Sequence, residues 1–261
     1  MANTEKKSLV IPPPKTELLA PPFEELTLLI FGLPGSGKTR FCAGDKTAIF
    51  AATEPGQDFI NNPVVKVRTW DTFKSLIYEL ANLKKASKLT HTGLVIDIID
   101  NLNVYCRDAV CKAKGLTYPS EKDFGKTWAE CNKEWKDWLR VAMDIVPVRY
   151  ITHCTTTLVE VPLASGIKQE VTRYVPTFSG NRAAQYLDGV VSAYGYVTEQ
   201  LDGTHVITFK QEATVAAKDR TDILAKLGTM PLEWSKVSDA YKVKAQELGF
   251  KIVSNRGGNQ Q

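Results

Sequence analysis

The stretch Gly32-Leu-Pro-Gly-Ser-Gly37-Lys38-Thr39 has the spacing G-x-x-x-x-G-K-[ST]. Each residue type in it suits polyphosphate chemistry. Glycine at 35 and 37 lets the backbone curl so that successive N–H groups converge on an anion. A helix opening at Lys38 adds partial positive charge from its amino end. Lys38 brings a point charge to β- and γ-phosphates, and the Thr39 hydroxyl suits a magnesium ion. The expected nucleotide contacts are Gly35, Ser36, Gly37, Lys38, Thr39 and Arg40.

Three further residues have the right type and place to act on a bound polyphosphate. Asp97 ends the apolar run Leu94-Val-Ile, where an aspartate is costly unless it holds a partner; beside a phosphate loop it can hold magnesium through water. Glu54 follows the run Thr47–Ala52 and can polarise a water for in-line attack on a γ-phosphate. His153 ends Tyr150-Ile-Thr and can sense that phosphate. Asp100 is expected as a secondary polar contact or a helix N-cap. Each residue also has a plainer reading: a solvated strand end, a turn before Pro55, a satisfied histidine.

These residues need strands to carry them to one place. Leu26–Phe31, Thr47–Ala52, Val64–Val67, Leu94–Ile98 and Val148–Thr152 are short, nearly continuous apolar runs, as strands buried on both faces should be. Helical spacing separates some of them. Phe73, Leu76, Ile77, Leu80 and Leu83 mark one helix; Trp128, Cys131, Trp135, Trp138, Leu139 and Ala142 mark another. Strands alternating with helices predict an α/β fold with a mostly parallel central sheet flanked by helices. The carboxyl ends of such strands line one crevice, which would gather Lys38, Glu54, Asp97 and His153.

Antiparallel strands are expected toward the C-terminal part. Thr157–Val161 and Glu170–Val175 flank Ala164-Ser-Gly166 and read as a hairpin. A short helix is expected at Asn181–Leu187. Val190–Thr198 and His205–Lys210, split by Asp202-Gly203, form a second strand pair. The chain divides into an extended arm (1–25), rich in proline and carrying Leu9, Val10 and Ile11, a core (26–225), a small helical region (226–254, best at Val237–Leu248) and a disordered tail (255–261).

Composition narrows the class. No apolar run approaches the ~20 residues of a membrane span, and the N-terminus lacks the apolar core of a secretory signal, so a cytoplasmic protein is expected. The five cysteines are not at zinc spacing and read as reduced, mostly buried thiols. A formal charge of only +4 permits nucleic-acid binding without requiring it.

The combination Thr53-Glu54-Pro55-Gly56, Ile96-Asp97 and Thr152-His153-Cys154, behind the phosphate loop, resembles the RecA-like ATPase core. More closely it is similar to the phage RecA-like annealing ATPases, over roughly residues 25–225. The resemblance implies ATP with Mg2+, Glu54 as the catalytic glutamate and His153 as the γ-phosphate sensor. It implies a DNA-binding loop from Thr155 to about Ser179, with Lys168, Arg173 and Tyr174 as contacts to single-stranded DNA. Ala217-Lys218-Asp-Arg220 resembles the segment whose basic side chains reach the neighbouring subunit's ATP. Lys218 and Arg220 would then complete the site in trans, which implies a homo-oligomer, ring or short filament. A single-strand-binding protein is a further candidate partner.

The leading expectation is an ATPase acting on single-stranded DNA in phage-type recombination or annealing. A nucleotide-gated partner module of a replication or packaging machine is the second reading. A small-molecule kinase is the third; it would need an arginine-rich lid, and 115–127 offers Lys122 and Lys126 but no arginine.

Overall fold

The structure, a computed structural model, describes residues 17–119, 123–162, 166–178 and 180–254. The expectations for Leu9 to Pro14, Lys122, the turn at Ala164-Ser165, Ser179 and the tail 255–261 lie outside the described residues.

In chain order the first elements are β1 (Leu18–Ala20), β2 (Leu28–Gly32), α1 (Lys38–Cys42), β3 (Ile49–Ala52), β4 (Val64–Lys66), α2 (Trp70–Lys85), β5 (Leu94–Asp97) and α3 (Ile99–Ala113). There follow α4 (Lys126–Ile145), β6 (Val148–Thr152), β7 (Cys154–Pro162), β8 (Lys168–Pro176), α5 (Arg182–Val190) and β9 (Ala193–Glu199). The last are β10 (His205–Thr208), β11 (Lys218–Asp219), β12 (Thr229–Pro231), α6 (Trp234–Glu247) and β13 (Phe250–Ile252).

The main sheet runs β12-β10-β9-β2-β6-β5-β3-β4, with β11 beside β10 along the same edge of β9. Every neighbour pair from β9 to β4 is parallel, and β10, β11 and β12 are antiparallel additions. The expected α/β class with a mostly parallel sheet and antiparallel strands late in the chain is what forms.

The apolar runs explain the layers. Side chains of a strand alternate between faces. Leu29 and Phe31, Ile49 and Ala51, Leu94 and Ile96 point to the side packed by α2, α3, α4 and α5. Leu28 and Ile30, Phe50 and Val95 point to the side packed by α1 and α6. Covering both faces requires the unbroken apolar runs. Helix α2 starts where Thr69 accepts a hydrogen bond from the Thr72 N–H (3.1 Å) and ends on Lys84 and Lys85, each suited to its end of the dipole.

Several elements depart from the expectations. Helix α3 has no counterpart among them. Its N-cap is Ile98, so Asp100 is a first-turn residue and not the cap. The end of the arm is tied to the domain: β1 pairs in parallel with β13, and Phe23 is buried against Trp234 with ring centroids 4.6 Å apart. Helix α6 packs on the core, and β12 ahead of it extends the main sheet. All five cysteines are free, four of them buried, and burial pushes the Cys42 thiol up to about 12. Among the described residues no helix is long and apolar enough to cross a membrane.

Candidate nucleotide site

Strand β2 ends at Gly32 and the chain turns sharply into α1. Gly35 and Gly37 hold φ of 81° and 96°, a region that side chains disfavour; Gly37 is the N-cap of α1. Lys38 is buried, and its Nζ donates to the carbonyls of Gly32 (2.9 Å) and Leu33 (2.8 Å). An ammonium has three donors, so this leaves one uncommitted. Burial lowers the Lys38 pKa, while the charges of Asp97 and Glu54 oppose that shift.

Sheet order decides which groups meet Lys38. Strand β6 stands between β2 and β5, so the end of β6 (Thr152-His153) lies between the phosphate loop and Asp97. The Thr39 hydroxyl donates to Asp97 Oδ2 at 2.9 Å, and Gln57 Nε2 donates to the same oxygen at 3.1 Å. Asp97 is only 2% exposed, so these partners and the nearby Lys38 charge are what make it tolerable there. The turns after β3 and β5 are bolted together. Thr53 Oγ1 donates to the Ile98 carbonyl (2.9 Å) and accepts from the Ile98 N–H (2.7 Å), and the Thr53 N–H donates to the Asp97 carbonyl (2.7 Å). The Asp97–Ile98 peptide is cis.

Glu54 follows Thr53 and faces His153, with Oε2 and Nε2 3.8 Å apart. Burial lifts the Glu54 carboxyl above the ordinary carboxylate range; the charge of Asp97 adds to this, and His153 and Lys38 pull the other way. The other ring nitrogen of His153, Nδ1, is buried with no hydrogen-bond partner among the described residues. Asp100 accepts hydrogen bonds from Thr152 (2.6 Å) and Thr177 (3.0 Å), and the two threonine hydroxyls lie 2.8 Å apart. It is not the helix N-cap; it ties α3 to the last residue of β6 and to Thr177 just past β8.

These groups surround one cleft of about 720 Å3, within the ~300–1,000 Å3 of ordinary small-molecule sites. Lys38, Thr39, Arg40, Glu54, Asp97 and His153 all line it. The cleft is also lined by Phe59, which is 90% exposed, and by Pro231, Leu232 and Glu233 from the β12–α6 junction. Leu232 is held by its N–H on the His205 carbonyl (3.0 Å), and a Cβ on Gly37 would lie 2.7 Å from Leu232 Cδ2. Thr53, Gln57, Phe59 and Leu232 were not among the expected site residues. Gln57 is three positions past Glu54 and was within reach of the sequence pattern; Leu232 comes from a distant stretch and was not.

The remaining expected residues lie elsewhere. Lys218 is in register with Tyr194, which is level with Leu29, so β11 runs toward the amino ends of the parallel strands, away from the cleft. Lys218 donates to the Asp188 carbonyl, and Arg220 to those of Gly189 (2.6 Å) and Asp188 (3.1 Å). Both close off the carboxyl end of α5, where cations suit the dipole. On the hairpin, Lys168 pairs with Glu160 (2.7 Å), and Arg173 donates to the Ala213 carbonyl (2.7 Å). Tyr174 stacks on Tyr196 at 5.4 Å between centroids. The structure does not gather these three into one open surface.

A phosphate loop between the central strand and its helix, an aspartate two strands away and one strand inserted between them define a P-loop ATPase with a RecA-like sheet. Residues 24–221 match the family model described as AAA domain, and the chain belongs to that family. No curated protein matches the chain. Among solved structures it is similar to one whose title describes an ATPase domain, at 11% identity and a TM-score of 0.38, covering 71% of this chain and 76% of that one.

Proposed function

We propose that the chain binds ATP with Mg2+ and hydrolyses it, and that it does so on single-stranded DNA in phage-type recombination or annealing. The observation that carries the hydrolytic part is the Glu54 carboxylate beside the cleft that holds Lys38, Thr39 and Asp97. Oxygen donors, a hydroxyl and a carboxylate 2.9 Å apart, fit a hard cation, with Thr39 and Asp97 as its holders. Bound there, Mg2+ would neutralise charge on the β- and γ-phosphates.

The chain's own groups supply the rest. Backbone N–H groups of Gly35 to Thr39 cradle the phosphates, and Lys38 turns from its loop carbonyls toward the γ-phosphate. Glu54 takes a proton from water as the water oxygen bonds to the γ-phosphorus and the bond to the β,γ-bridging oxygen breaks. ADP leaves with that electron pair. His153 contacts the γ-phosphate and feels its loss. Phe59 and Leu232 offer flat and apolar surface for the base. Lys218 and Arg220 would act on a neighbour's nucleotide in a ring or short filament, as an arginine finger does, after releasing α5.

DNA enters through the next link. The hairpin starts at Cys154, and the Thr177 N–H donates to the His153 carbonyl (3.0 Å), so both its ends are tied to the sensor residue. A second reading, a nucleotide-gated partner module of a replication or packaging machine, draws on the internal engagement of Lys168, Arg173 and Tyr174. Hydrolysis by wild type, Lys38→Ala and Glu54→Ala, each with and without single-stranded DNA, separates them. DNA stimulation in wild type and loss of ~10²–10⁴-fold in Glu54→Ala support the first reading. Hydrolysis indifferent to DNA removes the DNA role and favours the second.

A further inference from the structure

The segment joining α3 to α4 carries Tyr118 and Phe124, and the first turn of α4 carries Trp128. Folding alone gives Phe124 no reason to stand as it does. Phe124 is 94% exposed and sits at φ +56°, a left-handed backbone that bulky side chains avoid. Tyr118 is 53% exposed. Burial would remove apolar ring surface from water, yet neither ring is drawn in.

The rings rim a cavity of about 580 Å3 on the α3/α4 face of the sheet, which shares no residue with the nucleotide cleft. Arg107 of α3 and Arg182 at the start of α5 line it as well. The Arg107 guanidinium lies over the Tyr118 ring, 4.8 Å from its centroid, and pairs with Asp108 (2.8 Å). Tyr118 in turn meets Trp128 edge-on, 5.5 Å between centroids. The described lining residues comprise three aromatic rings, two arginines, three asparagines and no carboxylate.

That composition selects a ligand with flat π-faces, negative charge and hydrogen-bonding edges together. Rings stack on bases, guanidinium groups pair with phosphates, and amides reach base edges. An acidic peptide would use the arginines and leave the rings wet. An apolar peptide would cover the rings and strand the arginines. We propose that this cavity holds the unpaired bases of single-stranded DNA, while the β7–β8 hairpin, tied at both ends to His153, links them to the nucleotide. The proposal rests on the DNA reading given above and gives it an address.

The site is wired to the nucleotide end. Helix α3 begins two residues after Asp97, its Asp100 holds Thr152 and Thr177, and Arg107 lies two turns on, roughly 10 Å along the axis. Arg182 opens α5, five residues after Thr177. Two of the three helices that line the cavity, α3 and α5, thus start close to side chains hydrogen-bonded beside His153.

The test is fluorescence anisotropy of the full chain with labelled oligo(dT) and with an abasic deoxyribose-phosphate strand of equal length, at fixed salt and with ATP. Phe124→Ala is expected to weaken oligo(dT) binding about 5–150-fold and to leave abasic binding unchanged. Arg182→Ala is expected to weaken both strands, and Lys168→Ala neither. Basal hydrolysis by Phe124→Ala should equal wild type, which reports a folded chain. If wild type binds oligo(dT) and Phe124→Ala binds it within twofold, the cavity is the wrong address while the DNA reading stands. If wild type binds no oligo(dT), the DNA reading fails and the cavity assignment with it.

Discussion

The two ends of the parallel sheet treat charge in opposite ways. At the amino ends, Arg149 of β6 is fully buried, and its guanidinium lies 2.8 Å from the carboxylate of Asp45. It also donates to the Glu24 carbonyl (2.7 Å) and covers the Trp234 ring at 4.6 Å. Asp45 collects further hydrogen bonds from Thr47 and Thr92. At the carboxyl ends, Glu54 and His153 stand 3.8 Å apart, each one-third exposed, and among the described residues the hydrogen bonds of Lys38 go to neutral carbonyls. The first cluster is paired within the chain, cation against carboxylate, although Arg149 Nε is buried with no hydrogen-bond partner among the described residues. The second keeps bonding capacity that a ligand can use, and Lys38 and Glu54 are shifted from their ordinary values, Lys38 down and Glu54 up, chiefly by burial. Helix α1 and the turn after it join the two, since Lys38 opens the helix and Asp45 follows it.

The sharpest way to break the comparison is to unpair the cluster at the amino ends. Arg149→Ala leaves Asp45 buried without its cation, which should cost ~3–5 kcal/mol of stability. For a chain of this size that is a drop in melting temperature of roughly 6–20 °C, read by calorimetry. A drop of a degree or less would mean that Asp45 finds water or neutral partners, and that the two ends differ less than their geometry says.

A smaller effect should follow from crowding the same end without touching its charges. A Cβ on Gly44 would lie 2.3 Å from Cβ of Trp234, so Gly44→Ala must displace the indole that covers Arg149. Overpacking of this kind typically costs ~1–3 kcal/mol. Chemical denaturation measures it. A neutral result would show that α6 yields easily and that Trp234 is not what seals the pair.

How much of this was legible in the sequence follows the same division. Lys38, Thr39, Glu54, Asp97 and His153 were found because each sits in or just after an apolar strand, and parallel strands deliver their carboxyl ends to one place. Helix α3 was not found. Its buried positions Ile99, Leu102 and Cys106 keep helical spacing, but Asn101, Asn103 and the β-branched Val104 are poor helix formers, and packing decides the outcome. Arg149 carried a signal that went unused: a cation inside the run Val148-Arg-Tyr-Ile-Thr152 demands a buried anion. Its partner, Asp45, is over a hundred positions away and no local pattern names it. The same holds for Leu232, which lines the cleft beside Gly37. Lys218 and Arg220 were visible as residues, but their engagement with α5 is a tertiary fact.

The smallest effect probes the open end by its cost to folding. Burial raises the Glu54 pKa in the folded state above its ordinary value of 4.5, so ionising it opposes folding. The sign follows by linkage. The stabilisation of the protonated form is fully present below the unfolded pKa and is lost as pH rises through the folded one. Glu54→Gln removes the titration, so at pH 8 the variant should be more stable than wild type even as its hydrolysis fails. Because the carboxyl is one-third exposed, solvent screening keeps the gain under ~1 kcal/mol, a few degrees at most. The advantage should narrow steadily as melting is measured from pH 8 down toward pH 5. A variant that melts below wild type at pH 8 would mean that His153 and Lys38 stabilise the carboxylate more than burial penalises it, and the cluster at the carboxyl ends would then be as well paired as Arg149 and Asp45.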